Sequence, residues 1–207
     1  ARMAREMSRR LSSSKAEKGV GGKVLNSGWG SLPVRRSLES LVYDGFVMIG
    51  DACSTTVPLY GEGIGPAMYS ALLAAEALGD QVKEGRVRLK HLWDFNLTYV
   101  DLEGRRNAKL DVFRMLHQAV TNEEISLAMR KHLLDERMFV NFNFEEMDEG
   151  KITNVVRMVP RFLSGKALSL VRKLLLAKGT MEKVNSLYEK YPREPEKFED
   201  WVSSVYS

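Results

Sequence analysis

At 207 residues the chain is long enough for one sizeable domain or two small ones, and 44% hydrophobic with 28% charged residues is ordinary globular composition. A net charge of +4, from 31 basic and 27 acidic residues interspersed along the chain, is no nucleic-acid footprint; nucleic acid is set aside as a partner, while anionic partners and membrane surfaces stay open. The single cysteine, Cys53, excludes an intrachain disulfide framework and a multi-cysteine metal site, and no apolar run approaches the ~20 residues that span a bilayer. The expectation is a cytoplasmic protein, with a peripheral place on the membrane as the alternative.

Met3, Met7 and Leu11 recur at helical spacing, so a short basic helix is predicted over residues 2–11, followed by a Ser-rich loop. The chain begins with Ala rather than Met, and we expect a processed or truncated piece of a longer protein. A strand is predicted over Lys23–Asn26. Gly28-Trp29-Gly30-Ser31-Leu32-Pro33 is loop chemistry, because two glycines and a proline break both periods. Asp44-Gly45 signals a turn, and the continuously apolar Phe46–Ile49 after it predicts a strand buried on both faces.

From Ile64 the pattern is helical. Ile64, Ala67, Met68, Ala71, Ala74, Ala75 and Leu78 share a face of small side chains suited to packing on a sheet, and Gly79 or Gly85 ends the helix. A long helical segment follows over residues 88–119, with Gly104 predicting a break or bend in its middle. Thr121 with Glu124 reads as a capping box opening a helix to about His132. Ile152, Val155, Val156 and Val159 form a further stripe ended by Pro160. Helices over 161–178, 181–191 and 195–206 complete the chain, the last with Pro195 in its first turn and Phe198, Trp201, Val202 and Val205 on one face.

Few residues carry chemistry. Gly19-Val20-Gly21-Gly22-Lys23 lacks the residues that a dinucleotide or phosphate loop requires, so it reads as a flexible loop. His91, His117 and His132 have no carboxylate or cysteine partner at ligand spacing, and no metal is assigned. Cys53 reads first as a small buried residue after a strand. On segment 161–178, Leu163, Ala167, Leu170, Val171 and Leu174 make an apolar face with Arg172, Lys173 and Lys178 nearby. It suits an anionic membrane surface, but Leu168, Leu175 and Leu176 broaden the arc towards a helix packed in a bundle.

The informative stretch is residues 46–76. An apolar strand runs into Gly50-Asp51-Ala52, crosses a loop and meets a Gly-rich helix start. That order sets one carboxylate beside the bare N–H groups of a helix N-terminus, where the polar edge of a cofactor can dock. Gly61, Gly63 and Gly65 permit close approach of a flat ring.

Gly50-Asp51-Ala52, Pro58, Gly61-Glu62-Gly63-Ile64 and Ala67-Met68 with Ser70 resemble the second FAD-binding motif of the p-hydroxybenzoate-hydroxylase-like flavoproteins. Within that superfamily the chain resembles the geranylgeranyl reductase family, supported by Gly30-Ser31-Leu32-Pro33-Val34-Arg35-Arg36 and Leu41-Val42-Tyr43-Asp44-Gly45. The match covers residues 28–78. It implies that Asp51 bonds the ribityl chain or adjacent pyrophosphate of FAD, and that Gly50 and Ala52 lie near its phosphates. Pro58, Gly61, Glu62, Gly63 and Ile64 would border the isoalloxazine.

Ala71 stands where the family usually has Gly, and no Gly-x-Gly-x-x-Gly fingerprint occurs. The adenosine half of the site is therefore expected outside this chain, and the fragment alone is expected to be inactive. The fold implied is α+β and mostly α. Residues 1–85 would be the last strand and helix of a Rossmann-like FAD domain, and 86–207 a helical C-terminal domain. The implied parent is an FAD-dependent oxidoreductase reducing carbon–carbon double bonds of geranylgeranyl chains on lipids, with NAD(P)H or ferredoxin as electron donor; a homo-oligomer is left open. The alternatives are an electron-transfer flavoprotein–quinone-type dehydrogenase, a flavin monooxygenase, or a non-catalytic helical module for partner or membrane docking.

Overall fold

The computed structural model describes residues 30–130 and 165–206. The chain divides into two compact units, residues 1–32 and 33–207, and every element below belongs to the second. The expected helix over 2–11, the strand Lys23–Asn26, the Ile152–Val159 stripe and His132 lie outside the described residues.

Asp44-Gly45 turns the chain as its composition predicts. Strands β1 (Val42–Tyr43) and β2 (Phe46–Val47) pair antiparallel, with Val42 opposite Val47 and Tyr43 opposite Phe46. The Asp44 carboxylate accepts a bond from Leu89 N at 2.8 Å and pairs with Arg88, which fastens the turn to the start of a later helix. The strand is shorter and more open than expected, since Phe46 and Ile49 are 54% and 43% exposed. A two-stranded hairpin cannot cover both of its own faces: Val42 and Val47 turn one to the core, and Tyr43 and Phe46 are left exposed on the other.

Helix α1 (Ile64–Lys83) runs past Gly79 and stops before Gly85. Its buried side overlaps the predicted one only at Ala74 and Leu78 and is rotated away from Ile64 and Met68. Ser70, Leu73 and Leu78 are buried, with Ala74 and Ala77 packed against the core, whereas Ile64 and Met68 are 80% and 70% exposed. The larger side chains of Leu73 and Leu78 select the face turned to the core, because they bury more apolar area than the alanines do. Ile64, Met68 and Leu72 form a second apolar stripe that stays open.

Helices α2 (Leu89–Tyr99) and α3 (Arg105–Ala119) are joined through a π-helical turn, Val100–Gly104. The disturbance predicted at Gly104 takes this form: one wide turn ends at the glycine, and the backbone stays helical throughout. Helix α4 (Asn122–Arg130) follows, then α5 (Gly165–Glu189) and, after the short 3₁₀ turn Pro195–Lys197, α6 (Phe198–Tyr206). The break expected between 178 and 181 does not occur. Ala177 and Met181 are buried against Val112 and Leu116 of α3, and that packing carries α5 through Gly179 despite a cost of about 1 kcal/mol. Leu168, Leu175 and Leu176 are exposed rather than part of the packed face, which is built from Leu170, Val171 and Ala177.

The main core joins the hairpin to the chain's end. Leu41, Val42, Cys53, Leu73, Leu92, Phe95 and Tyr99 cluster with Tyr191 and Trp201, and Phe198, Val202 and Val205 pack against them as their spacing predicts. One buried amide organises the polar groups there. Asn96 accepts from Leu41 N at 2.9 Å and donates to the Tyr191 hydroxyl, which in turn donates to Glu39 O at 2.8 Å. Both indole N–H groups are satisfied, Trp93 by Pro192 O and Trp201 by Leu187 O.

The capping box at α4 forms as read. Thr121 N donates to Glu124 Oε2 at 2.8 Å, and Glu124 N donates to Thr121 Oγ1 at 3.3 Å. Lys173 of α5 adds an ion pair to the same carboxylate at 2.7 Å and donates to Ala119 O, tying α5 to the α3–α4 corner. The Lys173 ammonium first, and the Thr121 N–H second, hold the Glu124 carboxyl down to about 2, against an ordinary 4.5. A value depressed on folding contributes stability that is complete above 4.5 and is lost as pH falls towards 2. Thermal melts over that window are expected to fall more steeply for the wild type than for Glu124→Gln, and parallel curves would refute this. Thr121→Ala is expected to cost about 1 kcal/mol at neutral pH.

Candidate functional site

Between β2 and α1 the chain makes a 3₁₀ turn, Gly50–Cys53, entered from extended backbone at Ile49. Three small residues fix it to α1. Gly50 N donates to Ser70 Oγ at 3.0 Å, and Ser70 Oγ donates to Ala67 O at 2.9 Å. A methyl group built on Gly50 would stand 3.3 Å from Ala67 Cβ, and Gly50 has a φ of +60°, so an L side chain is disfavoured there twice over. The turn leaves through Ser54, a non-glycine residue at φ 58°, with Ser54 N donating to Asp51 O at 3.1 Å.

Cys53 points inward. Its thiol is fully buried, bonds Gly50 O at 3.3 Å, and is pushed up to about 12 by that burial; it is a packing residue and not a nucleophile.

The Asp51 side chain is exposed, and its Oδ1 accepts a 2.7 Å bond from Thr56 Oγ1. The loop between them and α1 is closed by Gly61 N to Val57 O at 2.9 Å and Val57 N to Glu62 O at 2.8 Å, with Pro58 buried beneath. This closure returns the chain to Asp51. A methyl built on Gly63 would meet Thr56 Oγ1 at 3.1 Å and Asp51 Oδ1 at 3.3 Å, so the bare α-carbon makes room for the pair. Gly63 is also the N-cap of α1, and no side chain caps that helix. Its first N–H groups are the positive end of a twenty-residue helix. The Glu62 carboxylate leans over the first turn, with Oε1 2.6 Å from where a Gly65 methyl would be. A negative group is favoured at that place.

Of the residues singled out from the sequence, Gly50, Asp51 and Ala52 share the turn, Gly61, Glu62, Gly63 and Ile64 share the loop end and helix start, and Asp51 and Gly63 meet. Ala52, Gly61, Glu62 and Ile64 are exposed around them; Pro58 lies under the loop. Sequence reasoning missed Thr56 altogether and gave Ser70 no role. The available signal for Thr56 was a hydroxyl in the loop linking the carboxylate to the helix start. What results is an exposed, braced carboxylate beside a helix N-terminus with no side-chain cap bond, able to accept bonds from hydroxyls and, with Glu62 moved aside, to donate backbone N–H groups to a flat polar edge. Among the described residues no group of three or more His, Cys, Asp or Glu could hold a metal ion.

Comparison with known proteins returns several relatives that share one name. The chain is 33% identical over 185 residues to the digeranylgeranylglycerophospholipid reductase of Sulfolobus acidocaldarius, which covers 88% of this chain and 40% of that protein. It is 38% identical over 78 residues to the enzyme of the same name from Methanoculleus marisnigri, covering 35% of this chain and 20% of that one. With digeranylgeranylglycerophospholipid reductase 2 of Methanothermobacter thermautotrophicus it shares 27% over 110 residues, 53% of this chain and 29% of the relative. No family model matches. The chain is thus related to the geranylgeranyl reductases, as residues 28–78 led us to expect, and it spans at most about 40% of the length of these relatives.

Ser70 is fully buried and satisfies the Gly50 N–H. Ser70→Ala should therefore cost about 1–3 kcal/mol in denaturant unfolding, the penalty for orphaning a buried donor. A change within ~0.5 kcal/mol, usual for surface substitutions, would show that the turn does not depend on this bond.

Proposed function

We propose that this chain, a relative of the geranylgeranyl reductases over most of its length, supplies the flavin end of an FAD site in a reductase acting on geranylgeranyl chains of lipids. The observation that carries the reading is the meeting of Asp51, Thr56 and Gly63 at the uncapped start of α1. That arrangement fits the ribityl and ring end of FAD: a carboxylate to accept from hydroxyls, a helix N-terminus to face an electron-rich edge, and an α-carbon without a side chain where a ring would approach. FAD, when bound, supplies hydride transfer to a carbon–carbon double bond.

The chain's own part is to hold and orient. Asp51 would anchor the ribityl chain or adjacent pyrophosphate, with Gly50 and Ala52 near the phosphates. Gly61, Glu62, Gly63 and Ile64, over Pro58, would border the isoalloxazine, and Glu62 would yield its place over the helix start to the ring edge.

On this reading residues 1–85 are the end of a Rossmann-like FAD-binding domain, and 86–207 form the helical domain that follows it. The open stripe of Ile64, Met68 and Leu72, with exposed Phe46 and Ile49 on the hairpin, supports it. A helix apolar on two faces is one built to be covered twice. The adenosine half and most of the substrate cavity would then lie in polypeptide outside this chain, and the electron donor would be NAD(P)H or ferredoxin.

The test uses the full-length protein. It should purify with flavin absorbance, and Asp51→Ala should weaken FAD binding at least about tenfold, since a charged hydrogen-bond partner is lost. Anaerobically reduced protein should be reoxidised fastest by a geranylgeranyl lipid. Fast reoxidation by a quinone or by oxygen instead would select the dehydrogenase or monooxygenase reading.

A specific observation favours contact with a lipid surface as well. On α5, Leu168, Leu175 and Leu176 are 50%, 48% and 72% exposed beside exposed Arg172, and among the described residues no helix is long and apolar enough to cross a membrane. Full-length protein should float with anionic liposomes at low salt, and Leu175→Ser with Leu176→Ser should reduce the floated fraction. Flotation unchanged by the pair would remove this role for α5.

A further inference from the structure

We propose that Thr56 is a positioning residue for the cofactor: its hydroxyl fixes the rotamer of Asp51 so that the carboxylate is already aimed when FAD arrives. The inference rests on the reading of Asp51 as a flavin-site carboxylate. Asp51 stands on a short turn with its side chain in solvent, where an aspartate ordinarily samples several rotamers. Here one oxygen, Oδ1, is taken by Thr56 Oγ1 at 2.7 Å.

The donor is itself immobile. Thr56 is fully buried and β-branched, so its χ1 is set by packing and its hydroxyl cannot wander. A rigid donor bonded to an exposed acceptor transfers its rigidity to the acceptor.

Place argues the same way. The bonded pair lies against the α-carbon of Gly63, so the oxygen that Thr56 holds is next to the helix start and not turned away from it. An ionised carboxylate has room for about four hydrogen bonds, and Thr56 uses one of them. Its remaining capacity is left for a ligand, with the orientational entropy already lost before binding. The bond is thus worth more to affinity than to fold stability.

A double-mutant cycle on FAD binding decides the matter, read by quenching of flavin fluorescence in full-length protein stripped of its cofactor, with a thermal melt of each variant as control. Thr56→Val keeps the shape and removes the hydroxyl; it should raise the dissociation constant about fivefold to tenfold, the loss of one hydrogen bond. Thr56→Ser should restore most of the affinity. In an Asp51→Ala background Thr56→Val should change nothing further, because its partner is gone. Should Thr56→Val fail to fold, Thr56→Ala takes its place in the same cycle. Equal effects of the threonine change in both backgrounds would overturn the positioning role and leave Asp51 as a cofactor residue. Wild-type affinity in Thr56→Val would do the same. A wild type that binds no FAD would overturn the flavin reading itself, and the role of Thr56 with it.

Discussion

The hydrogen bond from Gly50 N to Ser70 Oγ is the constraint on which the site hangs. It joins a turn after β2 to the early turns of α1, where Gly50 and Ala67 approach closely. Glycine at 50 and alanine at 67 let the backbones close, and the serine satisfies the N–H that this closure removes from water. Once the turn is seated, Asp51 has nowhere to be except beside the helix start. The loop from Val57 to Glu62 then has a fixed span to cross, and its two backbone bonds close it. That closure brings the carboxylate, the threonine and Gly63 together, and the Thr56–Asp51 bond joins two of them directly.

Beneath the site lies a core that makes the turn worth holding. Cys53 fills the space under the turn, and Ser37 donates to Ser54 O at 3.2 Å while accepting from the Tyr99 hydroxyl at 2.7 Å. Tyr99 is the last residue of α2, just before the π-helical turn. The Asn96 amide one turn earlier reaches both the start of the hairpin and Tyr191 near the chain's end. Residues far apart in sequence therefore meet around α2, and the segment carrying Asp51 is braced by the helical part that follows it. A buried polar network of this kind favours a single arrangement, because alternatives leave its donors unpaired.

Much of this was legible in the sequence where the signal was local. Asp44-Gly45 makes its turn, Thr121 and Glu124 make their capping box, and Pro195 opens the turn before α6, because each depends on residues within one turn of itself. The order strand, carboxylate, glycine-rich loop and helix predicted that Asp51 and the start of α1 belong together, and they do. Facing was less legible. The predicted face of α1 held at Ala74 and Leu78, but Leu73 joins them in the core and turns Ile64 and Met68 outward. Leu168, Leu175 and Leu176 looked like core and are exposed, since what α3 and α4 cover is decided by long-range packing. The break expected between 178 and 181 is absent, because the buried Ala177 and Met181 carry the helix through. Thr56 was invisible because a hydroxyl in a loop gains meaning only when its acceptor's position is known.

The central claim is that FAD sets its flavin end against Asp51 and the first turn of α1. A crystal structure of the full-length protein grown with FAD tests it most directly. The account predicts the isoalloxazine edge against the backbone of Gly63 and Ile64, Asp51 accepting a hydrogen bond from the ribityl chain or the adjoining part of the cofactor, and Thr56 still bonded to Asp51. A flavin bound elsewhere, with Asp51 left facing solvent, would contradict it.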